Sequence, residues 1–403
     1  MNTEYFLRSK FRDFYKKNFV SEPPAIGQRE FGIGTFGKKI SNRHLAFAGS
    51  NDFNSFLRTE TPFFVSYSSA YYKEPWKMPM SAKGFLCADL IYEFDADDLK
   101  TDCRRWHDSW KCGCGAQGKG AIESCTSCGK PVKVEQWVCP ECLEAVKKQL
   151  FRLVGFLEKD FGFSDGIEIN FSGSKGYHLH VRSEKVKNLS QGARAELIDY
   201  IMGTGLEMEN IGFFEHDKML HCPRADSLGW AKKLHDSLVD FVSSTDAEHF
   251  AVAASTTNSF AEKALQKRAE MLKAIERGVL LQVRSGKNRE LWDNIVKFLV
   301  EKERLCIDRQ TSIDLHKILR VPETLHGGTG LVAKKLSFNN LSGFNPLSDT
   351  IAFSEAPVKL RVKKTPKFFL KGNWFGPFEG ERLELPEYAA VFLLARGSAE
   401  LDQ

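Results

Sequence analysis

The sequence predicts a mixed-sheet α/β core interrupted twice, first by a cysteine-rich metal-binding insertion and then by an α-helical subdomain. Three observations carry this. Short β-prone apolar runs alternate with helix-period segments in both the first and last thirds of the chain. Seven of the ten cysteines crowd between Cys103 and Cys142. From Ser190 to Arg277 helical periodicity replaces the alternation. The chain of 403 residues, 42% hydrophobic and 27% charged, is large enough for two or three domains with a substantial core. Charges run through Met1 to Val20, unlike a signal peptide, and no apolar run reaches the roughly 18 residues of a membrane span. An intracellular protein without membrane attachment is expected. A net charge of +5 permits nucleic-acid or phosphate partners without requiring them.

Glu4 to Phe19 spaces Tyr5, Phe6, Phe11, Phe14 and Tyr15 as one face of a helix, which Pro23 and Pro24 stop. Arg29 to Gly34 and Asn42 to Phe47 read as strands, Ser55 to Arg58 as the start of a short helix, and Thr61 to Tyr72 as one buried strand. Ala88 to Asp98 then turns from apolar to acidic. Side chains alternate along a strand, so Glu93, Asp95 and Asp97 are expected on one face. Crowded carboxylates repel unless cations separate them, and hard oxygen ligands suit Mg²⁺ or Mn²⁺.

The insertion, 103–142, holds Cys103 with His107, Cys112 with Cys114, Cys125 with Cys128, and Cys139 with Cys142. Eight ligands are what two closed tetrahedral zinc sites need, and closed sites are structural rather than catalytic. One allocation groups Cys112, Cys114, Cys125 and Cys128 as a ribbon and Cys103, His107, Cys139 and Cys142 as an outer site. Other pairings satisfy the same spacing.

Leu143 to Asp160 is helix-periodic, and Ile167 to Phe171 alternates as a strand. The turn that follows, Ser172-Gly-Ser-Lys-Gly-Tyr-His-Leu-His-Val181, offers hydroxyls, backbone N–H groups around Gly173 and the Lys175 ammonium. Those groups make an anion cradle, ahead of a strand carrying His178 and His180 on one face. After the helical segment, 190–278, the core resumes near Leu280 with a helix over Leu291 to Glu301. A further acid, Asp308, follows, then a glycine-rich loop bracketed by Arg320 and His326 in which Gly327, Gly328 and Gly330 allow close backbone approach. Strands around Val358 to Lys364 and a helix over Glu387 to Arg396 close the chain, which has no internal repeat.

The acidic strand, the cysteine insertion, the Ser172–Val181 turn, Ile307-Asp-Arg-Gln-Thr-Ser312 and Leu325-His-Gly-Gly-Thr-Gly330 resemble, in order and spacing, the small catalytic subunit of archaeal and eukaryotic-type DNA primase. Arg29-Glu-Phe-Gly32, Tyr67-Ser-Ser-Ala-Tyr-Tyr72, Trp137-Val-Cys-Pro-Glu-Cys-Leu143 and Leu385-Pro-Glu-Tyr-Ala-Ala390 extend the resemblance over nearly the whole chain. It implies a primase catalytic core in three stretches (1–102, 143–189 and 279–403) around the zinc-binding insertion and the helical subdomain. The implied activity is template-directed synthesis of short RNA primers, with DNA as a further product, from nucleoside triphosphates on single-stranded DNA.

By the same resemblance the metal pair falls on Glu93 and Asp95, with glutamate where the family has aspartate, and the third acid on Asp308. Asp97 stands in reserve. Phosphate contacts fall on Ser172, Gly173, Lys175, His178, Arg320 and His326, with Arg43 at the initiating or incoming triphosphate. Zinc falls on Cys103, His107, Cys139 and Cys142, leaving the central four cysteines as an extra ribbon. Ser174 and Gly328 stand where the family often has basic residues, with Lys334 and Lys335 close downstream. The resemblance also implies two catalytic Mg²⁺ or Mn²⁺ ions, two structural zinc ions, a large partner subunit forming a heterodimer, and a place in the replication machinery of the archaeal cytoplasm. Two other readings share parts of the pattern. A repair polymerase or stand-alone primase-polymerase of the same superfamily would share the acids and the His turn, and an assay for synthesis without a primer separates it. A non-catalytic zinc-stabilised single-strand DNA-binding protein would need neither phosphate loop nor third acid.

Overall fold

A computed structural model describes residues 2–402. They form two compact units, one comprising 2–151, 163–195 and 306–402, the other 152–162 and 196–305. The first unit holds two four-stranded sheets. In one the order is Ile318–Arg320, Phe64–Ser68, Phe31–Thr35, Lys38–Leu45; in the other it is Lys334–Leu336, Ile167–Phe171, Gly176–Val181, Leu90–Asp95. The sequence reading expected mixed sheets, but every paired strand among the described residues is antiparallel. Antiparallel pairing needs no crossover helix between neighbours, so hairpins such as Ile167–Val181 build the sheets directly.

The second sheet explains itself by alternation. Its apolar face presents Leu90, Tyr92, Phe94, Tyr177, Leu179, Val181, Ile169 and Phe171, all buried. Its opposite face presents Glu93, Asp95, His178, His180, Asn170 and Glu168, paired across the strands as His178 with Glu93 and Asn170, and His180 with Glu168. The His180 ring stacks on Tyr67 of the first sheet at 6.0 Å, so this polar face lies toward that sheet.

The N-terminal helix, Thr3–Lys17, is capped by Asn2, whose side chain accepts from the Glu4 N–H at 3.1 Å, and it buries Phe6, Leu7, Phe11 and Tyr15. The Tyr15 hydroxyl accepts from the Leu325 N–H at 3.3 Å, anchoring the loop after Arg320. Thr61 to Tyr72, expected as one strand, is two: Phe64–Ser68 in the first sheet and Ala70–Tyr72 paired with Phe85–Ala88. The break has a cause. The carbonyls of Ser68 and Ser69 accept from the Arg29 guanidinium at 2.9 and 2.7 Å, and the Glu30 N–H opposite bonds to the Ser68 hydroxyl at 3.1 Å rather than to the Ser68 carbonyl. Arg29 also meets Asp89 at 2.8 Å with both side chains fully buried, and Arg182 and the Tyr71 hydroxyl reach Asp89 at 2.5 and 2.9 Å.

In the second unit helices Gly229–Ser244, Ala247–Ala253, Asn258–Leu265, Arg268–Glu276 and Asn288–Glu303 dominate. Asn288–Glu303 buries Leu291, Trp292, Ile295, Val296 and Leu299 along one stripe, so this unit extends past the 190–278 segment that periodicity marked.

Candidate active site and metal centres

The acidic strand ends at Asp95. Ala96 donates to the Lys175 carbonyl at 3.0 Å and the chain then turns, so Asp97 leaves the alternation that was expected to align it with Glu93 and Asp95. Its carboxylate pairs with the Lys175 ammonium instead. Asp308 arrives from elsewhere in the chain. It caps the short helix Arg309–Ile313, accepting from the Gln310 N–H at 2.9 Å, and its own N–H donates to the Glu93 carbonyl at 3.4 Å.

The Thr311 hydroxyl lies 2.7 Å from Glu93 Oε2 and 2.6 Å from Asp308 Oδ2, so one proton sits between two carboxylates. Lys317 donates to that hydroxyl at 2.7 Å and stands 3.6 Å from Glu93. Neither Thr311 nor Lys317 was assigned a role from sequence. The available signal was a hydroxyl three residues after a helix-capping aspartate, on the first turn that such a cap fixes. Glu93 and Asp308 thus converge, while Asp95 turns toward Lys175 at 3.8 Å.

The acids differ in proton affinity. Burial opposes ionisation of Glu93, but His178 at 3.4 Å, Thr311 and Lys317 outweigh it and hold the carboxyl well below its ordinary range. Burial, reinforced by the charge of Glu93, pushes Asp95 up to about 6 against the pull of Lys175. Opposite Asp95 stands Gly176, where a Cβ would lie 2.1 Å from both Asp95 Oδ1 and the Phe94 carbonyl; only glycine leaves this carboxylate its place.

The phosphate-type turn closes on itself. Ser172 N–H donates to the Gly176 carbonyl at 2.9 Å, and Gly176 N–H to the Ser172 hydroxyl at 3.3 Å. Gly173 adopts φ +81°, and a Cβ there would meet His326 Cβ at 2.8 Å. The two glycine loops therefore touch: the Thr329 hydroxyl donates to the Gly173 carbonyl at 2.6 Å. His326 Nδ1 lies 3.2 Å from the Thr329 hydroxyl and 3.3 Å from the Gly328 nitrogen, and burial together with Arg320 holds this imidazole neutral.

Arg320 donates to the Val65 carbonyl at 3.1 Å, and burial lowers it to about 10, still a cation at neutral pH. Arg43 pairs with Glu30 at 2.9 Å and with the His316 carbonyl at 3.4 Å. A side chain at Gly32 would strike both Ile318 and Arg43, and Ile318 and Arg320 point the same way. The two arginines therefore share one face of the first sheet. Lys334 and Lys335 are engaged elsewhere, with Glu323 and Glu168.

The cysteines fall into two sets whose ligand atoms lie within 4.8 Å of one another: Cys103, His107, Cys139 and Cys142, all buried, and Cys112, Cys114, Cys125 and Cys128. Among the described residues no other group of three or more such side chains is so close, the three acids included. Sulfur separations of 3.4 Å (Cys103 to Cys142) and 3.5 Å (Cys112 to Cys128) suit a tetrahedral ion with Zn–S bonds of about 2.3 Å. His107 presents Nε2 to Cys142 at 3.1 Å, while Nδ1 pairs with Asp108 at 2.8 Å. Asp108 in turn accepts from Arg104 at 2.9 Å and the Trp137 N–H at 3.0 Å, the outer-shell support typical of a ligating histidine. Both sets can hold zinc. The second is carried on a three-stranded ribbon, Ser109–Lys111 between Gln117–Lys119 and Lys133–Glu135.

The fold and site define a helix-and-sheet protein with two clusters able to hold zinc and with carboxylates converging beside a cationic glycine turn. The sequence pattern describing the DNA primase small subunit matches residues 132–338. The chain is 32% identical to the DNA primase small subunit PriS of Methanothrix thermoacetophila over 99% of both chains. It is 28% identical to that of Archaeoglobus fulgidus over the full length of both, and 28% identical to that of Cenarchaeum symbiosum over 98% and 97%. The chain belongs to the DNA primase small subunit family.

Proposed function

We propose that the chain is a primase catalytic subunit that joins nucleoside triphosphates on a single-stranded DNA template, with Glu93, Asp95 and Asp308 as the ligands of two Mg²⁺ or Mn²⁺ ions. The observation that carries this is Thr311, whose hydroxyl contacts Glu93 and Asp308 at once and so brings acids more than 200 positions apart into one site. Such a crowd of hard oxygen donors, with Asp95 reluctant to ionise alone, fits divalent cations. When bound, the ions supply charge for the attacking hydroxyl and for departing pyrophosphate.

The chain's own residues do the rest. Lys175, His178 and the turn around Ser172 and Gly173 hold the triphosphate beside the acids. His326 and Arg320 add a neutral imidazole and a positive charge, since phosphoryl transfer depends on positioning and charge stabilisation. Arg43 serves the second nucleotide. The first unit carries this chemistry, and the zinc sites fold the insertion beside it. The family's large subunit and the replication machinery of the cytoplasm are the setting we assign. No helix among the described residues is long and apolar enough to cross a membrane.

The test is synthesis on single-stranded DNA from NTPs or dNTPs without a primer, with Mg²⁺, Mn²⁺ or neither. Metal-dependent products are expected in the unprimed reaction. Products only from a supplied primer would favour a repair polymerase, and none under any condition a DNA-binding protein.

A further inference from the structure

We propose that Asp97 is a positioning residue, anchored from the Cys103/His107/Cys139/Cys142 centre, that holds Lys175 at the phosphate turn and away from Asp95. The inference rests on the site reading above and assigns Asp97 a role other than metal ligand.

Asp97 lies beyond the strand end, and it lines a polar cavity of about 180 Å³ with Arg104, Asp108, Gln136, Lys175 and Arg396. Glu93, Asp95 and Asp308 do not line that cavity. Asp97 therefore faces the zinc side of the turn. From His107 a continuous chain leads to Lys175. Nδ1 of His107 meets Asp108 at 2.8 Å, Asp108 accepts from Arg104 Nε at 2.9 Å, and Arg104 Nη1 donates to the Asp97 carbonyl at 2.7 Å. The Asp97 carboxylate then holds the Lys175 ammonium, which Gln136 Oε1 also accepts at 3.3 Å.

Among the described residues Lys175 has one other carboxylate within 4 Å, Asp95 at 3.8 Å. Without Asp97 the ammonium would settle on Asp95, where it competes with a divalent cation and is withdrawn from the triphosphate. The larger cleft beside the zinc ribbon offers no comparable argument, because Lys111, Lys119, Lys364 and Lys367 are balanced there by Asp108, Glu135, Glu379 and Glu381.

The experiment uses full-length protein carrying two zinc ions per chain by elemental analysis. Mn²⁺ binding is titrated by electron paramagnetic resonance of the free ion, with no nucleotide present, in wild type, Asp97→Ala, Lys175→Ala and the double variant. Steady-state KM and kcat for NTP are measured alongside. For a positioning residue, Asp97→Ala raises KM roughly tenfold, the scale of one charge-assisted hydrogen bond, with kcat nearly unchanged, and it has no effect on Mn²⁺ affinity once Lys175 is absent. Arg104→Gln raises KM in the same direction and adds nothing to Asp97→Ala. An equal loss of Mn²⁺ affinity from Asp97→Ala with or without Lys175 makes Asp97 a ligand and overturns the proposal. A wild-type KM in Arg104→Gln overturns the zinc-side anchoring. Asp95→Ala in the same titration separates the two levels: unchanged Mn²⁺ affinity there removes the underlying metal site, whatever Asp97 does.

Discussion

Asp95 sits where three influences meet: a glycine that leaves it room, a glutamate that repels its charge, and a lysine that attracts it. Its folded pKa of about 6 exceeds the ordinary aspartate value of 3.8, so the folded state binds this proton more tightly than the unfolded chain does. The stability that this contributes is complete below about pH 4 and disappears as pH rises through about 6. In metal-free protein, Asp95→Asn should therefore gain stability over wild type at pH 8, by up to about 3 kcal/mol, and gain roughly half as much at pH 5. Urea unfolding at the two pH values checks it; a variant equally or more destabilised at pH 8 contradicts the assigned cause. Glu93, held ionised by His178, Thr311 and Lys317, behaves oppositely and loses its contribution as pH falls. Thr311→Val keeps the shape but removes the proton shared by Glu93 and Asp308. Without divalent ions it should cost about 1–3 kcal/mol, read as a lower melting temperature that added Mn²⁺ restores in part.

At the scale of elements, much of the molecule was legible because period and punctuation are local. The helix Thr3–Lys17 and the hairpin Ile167–Val181 follow from spacing alone, whereas the two cysteine sets were one allocation among several that the spacing allowed. What was not legible depends on distant partners. Nothing local ends the acidic strand at Asp95 rather than Asp97; the pairing of Ala96 with the Lys175 carbonyl does. Nothing local divides Thr61 to Tyr72; Arg29 does, from more than thirty positions upstream. In the candidate site the acids and glycine loops were nameable, whereas Thr311 and Lys317 emerge only when Asp308 meets Glu93. Elements also carry their own prediction. A Cβ at Gly176 meets backbone at 2.1 Å, so Gly176→Ala must displace the acidic strand. A loss of nucleotide addition and of about 1–3 kcal/mol of stability is expected by activity assay and thermal melting; unaltered values of both contradict the packing described.

Across the whole first unit, one buried cluster ties the two sheets together. Asp89 accepts from Arg29, Arg182 and Tyr71, and Arg182 also reaches Tyr67 and Glu168. Removing Asp89 leaves the fully buried Arg29 guanidinium without a carboxylate, while Arg182 keeps Glu168, and breaking a buried pair in this way costs about 3–5 kcal/mol. Asp89→Ala should lower the denaturation midpoint by that equivalent while leaving zinc content at two per chain; an undiminished midpoint contradicts the role given to the cluster. On this scaffold Leu90–Asp95 supplies two acids, and the Asp308-capped helix brings the third from the opposite end of the sequence. The most direct test of the account is nucleotide addition on single-stranded DNA by Asp308→Ala, with melting temperature and zinc content measured on the same preparation. The account predicts that addition is abolished while fold and zinc are retained. Addition at the wild-type rate by a folded, zinc-replete Asp308→Ala protein would contradict it.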